Sequence, residues 1–308
     1  MATTPYDIVF IGHISIDEIQ RFQGRSSVET GGAAFYSSVA ACLPGLKIAV
    51  LTRMAPEDYH RFDPLKEKGI EVFVQPSTET THLRVVHETD NPDHRDIFQT
   101  TSAGFFEDEQ IIFSEKPRLV HIGALTDREF TVEFMATLKA RGYDLSVDIQ
   151  SFVRQVDPDT GIIQFRDVPR KREIVAMAKA VKLDVVEAEL LTGTADLSQA
   201  ARTVEEWGSL ETMITRADGV LIRSFGREYY EPFTNRSVVG RTGRGDTTFG
   251  AYLARRLDHP IEESLKFAAA VVSIKMESPG PFKGSMEEIM ARMDAAGTAS
   301  GGCCTTDS

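Results

Sequence analysis

A glycine-rich segment in the last quarter of the chain has the composition of an anion-binding loop. Residues 240–251 read GRTGRGDTTFGA, and the apolar positions that follow continue an amphipathic helix. Glycines in front of a helix leave backbone N–H groups without partners, and the positive end of the helix dipole adds to their attraction for negative charge. We expect the N–H groups of Arg244, Gly245 and Asp246 to converge on a transferring phosphoryl group.

The carboxylate of Asp246 has two interpretations at this position. Aspartate is favoured at helix starts, so the side chain could simply cap the helix. The glycines before it favour the other interpretation, because capping needs one permissive residue and this loop has three. That other interpretation is a role in the chemistry at the anion site, and the residues alone leave both open.

Other charged residues could take part in phosphate chemistry. Asp184 and Glu187 are three residues apart and share one face if helical, a spacing suited to holding Mg²⁺ through its waters, although a solvated helix start has the same pattern. Arg154 follows a predicted strand, where a parallel sheet presents its ligand-binding loops, although a surface position is the commoner explanation. The motifs of P-loop kinases, Rossmann dehydrogenases, zinc hydrolases and α/β-hydrolases are absent from the sequence.

The elements that must position these residues alternate between strands and helices. Short apolar runs rich in β-branched residues predict buried strands at residues 7–12, 47–52, 119–123, 144–148, 213–215 and 219–223. Amphipathic patterns predict helices at residues 32–43, 130–141, 172–181, 197–207, 247–257, 261–276 and 286–293. This alternation predicts an α/β fold with a mainly parallel sheet and helices on both of its faces.

Two stretches depart from the alternation. Residues 14–29 follow the first strand without a helix, and residues 80–100 alternate polar and apolar side chains around a charged turn. Both patterns are typical of exposed antiparallel strands, which cannot be interior members of a parallel sheet. We expect them to form a small β lid that covers a ligand, although a hairpin without function is the alternative.

Composition limits the kinds of partner. The 308 residues carry a formal net charge of −12, which disfavours binding to nucleic acid or anionic lipid. No apolar stretch is long enough to cross a membrane, and no export signal is evident, so we expect a cytoplasmic protein. The three cysteines do not make a disulfide framework, which fits a reducing compartment. Residues 1–296 are expected to form one domain, and residues 297–308 a disordered tail.

Together, these motifs resemble the ribokinase-like, or PfkB-type, carbohydrate kinase family over about residues 6–293. The family's C-terminal signature is a Gly-x-Gly-Asp loop that enters a helix, which residues 243–246 match. The resemblance implies a three-layer α/β/α fold, Asp246 as general base, and an anion hole from Gly243, Arg244 and Gly245. It also implies ATP as donor, Mg²⁺ as metal, and a sugar, nucleoside or cyclitol as the alcohol acceptor.

The resemblance assigns roles to residues elsewhere in the chain. In GHISID (12–17) and GGAAFY (31–36) it implies acceptor contacts by Asp17, Gly31, Gly32 and Tyr36. In DVVE (184–187) it implies a metal and phosphate network through Asp184 and Glu187. In TRADG (215–219) and SPGPF (278–282) it implies nucleotide contacts by Thr215, Gly219 and Gly280.

Departures from the family pattern bear on the substrate. Tyr36 stands where many sugar kinases carry asparagine, which favours an acceptor with an apolar face, such as a nucleoside base or a cyclitol ring, or else a packed helix residue. Arg244 replaces a small residue and could bind a phosphate or point to solvent. A non-catalytic nucleoside or sugar sensor of the same fold is the alternative function, which the intact Asp246 disfavours. Exposed lid edges could pair two subunits into a homodimer.

Overall fold

Strands and helices alternate along the chain in the computed structural model, which describes residues 5–43, 45–89, 95–107, 111, 113 and 115–300, the last five as backbone only. The strands are β1 (Ile8–Ile11), β2 (Ser15–Gln20), β3 (Ser27–Gly31), β4 (Ile48–Met54), β5 (Glu71–Pro76), β6 (His82–His87), β7 (Arg95–Thr101), β8 (Leu119–Ile122), β9 (Leu145–Asp148), β10 (Arg154–Val156), β11 (Ile163–Phe165), β12 (Ala180–Asp184), β13 (Glu211–Thr215), β14 (Gly219–Ser224) and β15 (Arg227–Pro232). The α-helices are α1 (Ala33–Ala41), α2 (Asp63–Glu67), α3 (Val132–Ala140), α4 (Gln150–Val153), α5 (Lys171–Met177), α6 (Val185–Thr192), α7 (Leu197–Glu206), α8 (Arg244–Arg256), α9 (Ile261–Met276) and α10 (Met286–Ser300). A 3₁₀-helix at Pro56–Phe62 precedes α2.

The central sheet has the strand order β15-β14-β13-β12-β9-β8-β1-β4-β5. Its strands from β13 to β5 pair in parallel, which confirms the predicted mainly parallel sheet. β14, which the sequence places with the parallel strands, is antiparallel to β13 and to β15. A short turn joins β13 to β14, and a turn of that length can connect only antiparallel neighbours.

Helices cover both faces of this sheet. The alternating side chains of β1 show why both faces are apolar: Ile8 and Phe10 pack into a core with α1, α8 and α9. Val9 and Ile11 pack into a second core with α3, α5, α6 and α7. Successive strand residues point to opposite faces, so this fully buried strand needs a helical layer on each side. The fold is a three-layer α/β/α sandwich.

One central strand replaces the end of a predicted helix. The helix expected over residues 172–181 ends at Met177, and β12 begins at Ala180. A short apolar run can be read as either a buried helix turn or a buried strand, and periodicity alone does not separate them. Lys182 therefore lies in the middle of a central strand and Asp184 at its carboxyl end.

The two departing stretches form one separate sheet with the order β3-β2-β6-β7. β2 pairs with β3, and β6 with β7, in antiparallel fashion. β2 and β6 are parallel to each other, whereas the sequence suggested antiparallel strands throughout. They follow β1 and β5, two strands of the parallel sheet that end at the same edge, so both enter the lid in the same direction.

At the C-terminus, α10 continues to Ser300, beyond residue 297 where the tail was expected to begin. The rest of the expected tail, residues 301–308, lies outside the described residues. Among the helices described, none is long and apolar enough to span a bilayer.

Candidate active site

The first turn of α8 presents Asp246 without using its side chain as a cap. Gly243 is the N-cap residue, with φ of 75°, and no side chain caps the helix. A left-handed backbone of this kind suits glycine. Ser37 of α1 donates a hydrogen bond to the Asp246 carbonyl oxygen over 3.0 Å. The backbone of Asp246 is therefore fixed, while its carboxylate remains available for chemistry.

Two backbone amides remain to bind an anion in this turn. The Arg244 N–H donates to the Arg241 carbonyl over 3.1 Å, and the Thr247 N–H donates to the Gly243 carbonyl over 2.9 Å. The N–H groups of Gly245 and Asp246 have no backbone acceptor among the described residues, as expected for the first turn of a helix. Of the three amides expected to bind an anion, two therefore remain without a backbone acceptor, because the loop itself uses that of Arg244.

Close packing explains two of the glycines. A Cβ atom added at Gly243 would lie 2.4 Å from the ring of Tyr36, and one added at Gly245 would lie 3.0 Å from Nζ of Lys182. The loop therefore lies between an aromatic ring on one side and an ammonium group on the other.

Lys182 belongs to a buried ion pair that sequence reasoning missed. Its Nζ lies 2.8 Å from Oδ2 of Asp148 and 4.0 Å from Oε2 of Glu187. Lys182 and Asp148 are register partners on the adjacent strands β12 and β9. Burial opposes the charged form of Lys182, but Asp148 and Glu187 outweigh it and raise its pKa. A lysine inside an apolar strand was the available signal, and assigning residues 172–181 to a helix concealed it.

Arg154 is half-buried, whereas its sequence context favoured a surface position. It begins β10, and its guanidinium carbon lies 5.6 Å from the centre of the Phe165 ring. Its Nε is buried and has no hydrogen-bond partner among the described residues. Burial raises the pKa of both Glu187 and Asp246, and the positive charge of Arg154 limits that rise, so Arg154 acts on the same cluster of carboxylates.

Asp184 and Glu187 form a reciprocal capping box at the start of α6. Oδ1 of Asp184 accepts the Glu187 N–H over 2.8 Å, and Oε2 of Glu187 accepts the Asp184 N–H over 2.8 Å. The second oxygen of Glu187, Oε1, is buried without a partner among the described residues. Burial and the nearby Asp184 raise the pKa of Glu187 to about 8. Asp184 thus holds the helix start, and Glu187 keeps one oxygen available.

The surroundings of Asp246 make its carboxylate more basic than usual. Burial, followed by repulsion from Asp148, raises its pKa, while Lys182, Arg154 and Lys275 act in the opposite direction. A higher pKa strengthens a general base, provided that the group remains ionised at the working pH. The three cations limit the rise in the pKa of Asp246 and do not reverse it.

Acceptor-side residues approach Asp246 from the lid. Asp17 lies on β2, where its Oδ1 accepts a hydrogen bond from Ser15 Oγ over 2.7 Å. Burial raises the pKa of Asp17 to about 6, and repulsion from Glu29 and Asp246 adds to this effect. A Cβ atom added at Gly31 would lie 2.0 Å from Oδ2 of Asp17. The glycine thus lets the lid strand β3 pass directly beside this carboxylate.

Gly32 and Tyr36 continue this side of the site into α1. Gly32 is the N-cap of α1, and a Cβ atom there would lie 2.3 Å from the His13 carbonyl oxygen. Tyr36 is buried beneath Gly243. This burial raises the pKa of its phenol, and the charges of Asp17, Glu29 and Asp246 raise it further. Tyr36 is therefore a packed helix residue that supports the anion loop, with its phenol close to the three carboxylates.

A second buried lysine holds the loop before Gly243. Nζ of Lys275 donates to the carbonyl oxygens of Gly240, over 2.6 Å, and of Thr242. It lies 5.3 Å from the centre of the Tyr36 ring. Burial lowers the pKa of Lys275 to about 8, although Asp246 and Glu29 oppose the change. No sequence pattern indicates this contact, because it joins α9 to a loop 33–35 residues away.

The three residues assigned to a nucleotide have different surroundings. Oγ1 of Thr215 is 3.9 Å from the Cβ position of Gly245, so Thr215 borders the anion loop. Gly219 packs against Tyr230 and the Glu231 carbonyl oxygen of β15. Gly280 lines a cavity of about 300 Å³ between the lid and the loops at 238–242 and 279–280. Glu29 of the lid lines the same cavity.

Comparisons with known proteins agree with this geometry. The profile of the pfkB family of carbohydrate kinases matches residues 7–288. A cytidine kinase from Thermococcus kodakarensis is 26% identical over 273 residues, which are 84% of this chain and 92% of that protein.

Among solved structures, a sulfate complex of a pyrophosphate-dependent kinase of the ribokinase family is 34% identical, with a TM-score of 0.85. A pyrophosphate-dependent kinase of that family in complex with a pyrophosphate analogue and myo-inositol is 33% identical, with a TM-score of 0.83. Each match covers 92% of this chain and 99% of the other. A ribokinase from Arabidopsis thaliana, solved with ribose and ATP, is 16% identical over 94% of this chain and 99% of its own, with a TM-score of 0.73, and shares the fold. This chain belongs to the pfkB family of carbohydrate kinases and is a phosphotransferase with an alcohol group as acceptor.

Proposed function

We propose that this protein phosphorylates a hydroxyl group of a cyclitol of the inositol type, with inorganic pyrophosphate as the phosphoryl donor. Asp246 takes the hydroxyl proton as the acceptor oxygen bonds to phosphorus. The bridging P–O bond breaks, and its electron pair leaves with orthophosphate.

The observation that carries the acceptor class is the convergence of three carboxylates. Burial raises the pKa of Asp17 and of Tyr36, and the nearby charges of Glu29 and Asp246 raise both further. Gly31 brings the lid strand against Asp17, and Gly243 packs on the Tyr36 ring. Carboxylates accept hydrogen bonds and do not donate them when ionised. A cleft of this composition suits a small molecule with hydroxyl groups on several sides, such as a cyclitol or sugar, better than it suits an aromatic base.

The cations beside the glycine loop support a compact anionic donor. Nζ of Lys182 lies 3.0 Å from the Cβ position of Gly245, and the positive charge of Arg154 acts on the Asp246 carboxylate. Phosphoryl transfer depends on positioning and on stabilising charge at the transferring group, and these groups are aimed at that charge. The relatives that are 33–34% identical are described as pyrophosphate-dependent, whereas the ATP-bound ribokinase is 16% identical. ATP, which the motif resemblance implies, is the second candidate donor.

A magnesium ion fits this site through Glu187. Its Oε1 is buried and without a partner among the described residues, and it can hold a water molecule of a hydrated cation. Within the described part of the chain, no group of three or more His, Cys, Asp or Glu side chains could hold a metal by itself. Such an ion would bind mainly through the donor phosphates, whose negative charge it neutralises.

A nucleoside kinase is the second candidate function. The cytidine kinase of 26% identity favours it, and the same Asp246 would deprotonate a ribose hydroxyl. This candidate pairs with ATP as the donor, so the two functions differ in both substrates.

The test is a matrix of donors and acceptors with the purified protein and Mg²⁺. Pyrophosphate and ATP are each combined with myo-inositol, ribose, fructose and cytidine, and ³¹P NMR identifies the phosphate monoester formed. We expect turnover of myo-inositol with pyrophosphate at least tenfold faster than with ATP. Turnover with ATP but not with pyrophosphate would contradict pyrophosphate as the donor. Phosphorylation of cytidine but not of myo-inositol would contradict a cyclitol as the acceptor.

A further inference from the structure

A short hairpin connects the lid to the donor side of the site. Its strands β10 and β11 pair Arg154 with Phe165 and Val156 with Ile163. We call residues 154–165 the arm. The arm begins at Arg154, beside the carboxylates of the donor side, and its tip contacts the lid strand β7.

The contact between the arm tip and the lid is a specific one. Ile162 forms an antiparallel bridge with Phe98, and the Gln99 N–H donates to the Gly161 carbonyl over 2.8 Å. A Cβ atom at Gly161, whose φ is 73°, would lie 2.8 Å from the Gln99 carbonyl oxygen. Any side chain at this position would push the lid strand away from the arm.

A second bond joins the lid to the loop beneath the arm. Oε1 of the buried Gln99 accepts a hydrogen bond from Thr126 Oγ1 over 2.7 Å. The next residue, Asp127, donates its N–H to the Arg154 carbonyl over 3.0 Å and accepts the Val156 N–H through Oδ1 over 3.0 Å. The lid, the loop and the backbone of Arg154 are therefore joined by consecutive hydrogen bonds.

We propose that the arm couples the two substrate sites, so that a lid held over the acceptor places the Arg154 guanidinium on the donor. Gly161, Gln99 and Thr126 are positioning residues in this device, and Arg154 is the donor ligand. The inference rests on the proposed function for the identity of the ligands. It predicts that each substrate tightens the binding of the other by the same factor, because such coupling is reciprocal.

The test measures binding instead of turnover. Calorimetry of the full chain with Mg²⁺ gives the Kd of methylenediphosphonate, a pyrophosphate analogue, with and without saturating myo-inositol. We expect myo-inositol to lower this Kd at least about fivefold in the unmodified protein. In Gly161→Ala and Thr126→Val, myo-inositol should lower the Kd of methylenediphosphonate by less than twofold. The Kd of each ligand measured alone should stay within twofold of its value in the unmodified protein. Gly142→Ala is the matched control, since Gly142 has φ of 83° and open space around it, and should retain full coupling.

The outcomes separate this inference from the proposed function. The proposed coupling role of the arm would be wrong if both ligands bind without affecting each other, or if Gly161→Ala and Thr126→Val keep full coupling. If an ATP analogue binds in place of the diphosphonate, the donor proposal is wrong and the same titration tests the arm with that analogue. Hydrogen exchange provides a readout that needs no acceptor: a bound donor analogue should slow exchange at Gln99, and unchanged exchange there would overturn the inference.

Discussion

At the scale of single residues, the candidate site combines buried carboxylates that have raised pKa values with buried cations. Asp246 and Asp17 are both moved above their ordinary pKa by burial and by other carboxylates. Lys182, Arg154 and Lys275 limit this rise for Asp246. A base that is neither too weak nor permanently protonated is what proton removal from an alcohol requires.

The first prediction concerns the base. Asp246→Asn keeps the shape of the side chain and removes its ability to accept a proton. We expect kcat to fall by roughly 10²–10⁴-fold, with little change in the Kd of the acceptor. Steady-state rates and calorimetry measure the two quantities. Because Asp246 does not cap α8, the melting temperature should stay close to that of the unmodified protein, and near-normal turnover would contradict the assignment.

A pH dependence follows from Asp17. Its pKa is about 6, so the carboxylate becomes protonated as the pH falls through 6. The protonated group is a weaker hydrogen-bond acceptor for the hydroxyl groups of the substrate alcohol. We expect the acceptor KM to rise below pH 6 and to be constant above pH 7. In Asp17→Asn the KM should be high at every pH, without this limb. A KM for the unmodified protein that is flat from pH 5 to 8 would argue against the role of Asp17.

At the scale of elements, two helices approach closely because glycine and serine face each other. A Cβ atom at Gly250 of α8 would lie 2.3 Å from the Ser37 carbonyl oxygen of α1, and Ser37 bonds the backbone of Asp246. The packing of α1 against α8 therefore fixes the position of the Asp246 backbone.

A pair of glycine variants tests how the loop is supported. Gly193 and Gly243 have the same φ of 75°, but a Cβ atom at Gly193 meets nothing within 4 Å. Gly193→Ala should lower the free energy of unfolding by about 1–2 kcal/mol from backbone strain alone. Gly243→Ala should lower it by about 1–3 kcal/mol more, because the methyl group meets Tyr36, and should also reduce kcat. Chemical denaturation and kinetics measure both, and equal effects would contradict the packing argument.

The start of α6 gives a prediction about the metal. Asp184→Asn preserves an N-cap side chain, so stability and the Mg²⁺ requirement should change little. Glu187→Gln replaces the carboxyl group, which would ionise when a cation binds beside it, with an amide that stays neutral, and should raise the Mg²⁺ concentration needed for half-maximal rate. Titration of the rate with Mg²⁺ measures this for both variants. A larger shift for Asp184→Asn than for Glu187→Gln would reverse the two roles.

At the scale of the whole molecule, the lid has two unequal edges. The β7 edge is bridged by the arm at Phe98, whereas β3 is the other end strand and carries Val28, which is 60% exposed. An open edge strand is a template for pairing with another chain. We propose that the homodimer expected from the sequence, if the lid forms it, uses β3.

Light scattering at increasing protein concentration tests this surface. We expect the unmodified protein to reach the mass of a dimer and Val28→Lys to remain a monomer, because a charge on an exposed edge blocks edge pairing. Phe225→Lys, at an exposed position distant in the chain from the lid, is the control and should still dimerise. A monomer at every concentration for the unmodified protein would exclude the lid dimer.

The sequence by itself determined the α/β class, the glycine loop with Asp246, and the lid segments, because each depends on local patterns. Strand and helix periodicity, a glycine-rich helix start, and polar alternation are all visible within a short window. The pairing of strands in the lid was not visible in the sequence. It depends on where β1 and β5, the strands that precede β2 and β6, end in the main sheet.

Only the tertiary structure decided which charges act together. Lys182 and Asp148 are 34 residues apart in the chain and meet because β9 and β12 are neighbours in the sheet. The arm brings Arg154, and the lid brings Glu29, to the candidate site. The side chain of Asp184 instead caps the start of α6. Ion pairs and clefts form between distant segments, so their composition follows from strand order and helix packing, which no local pattern encodes.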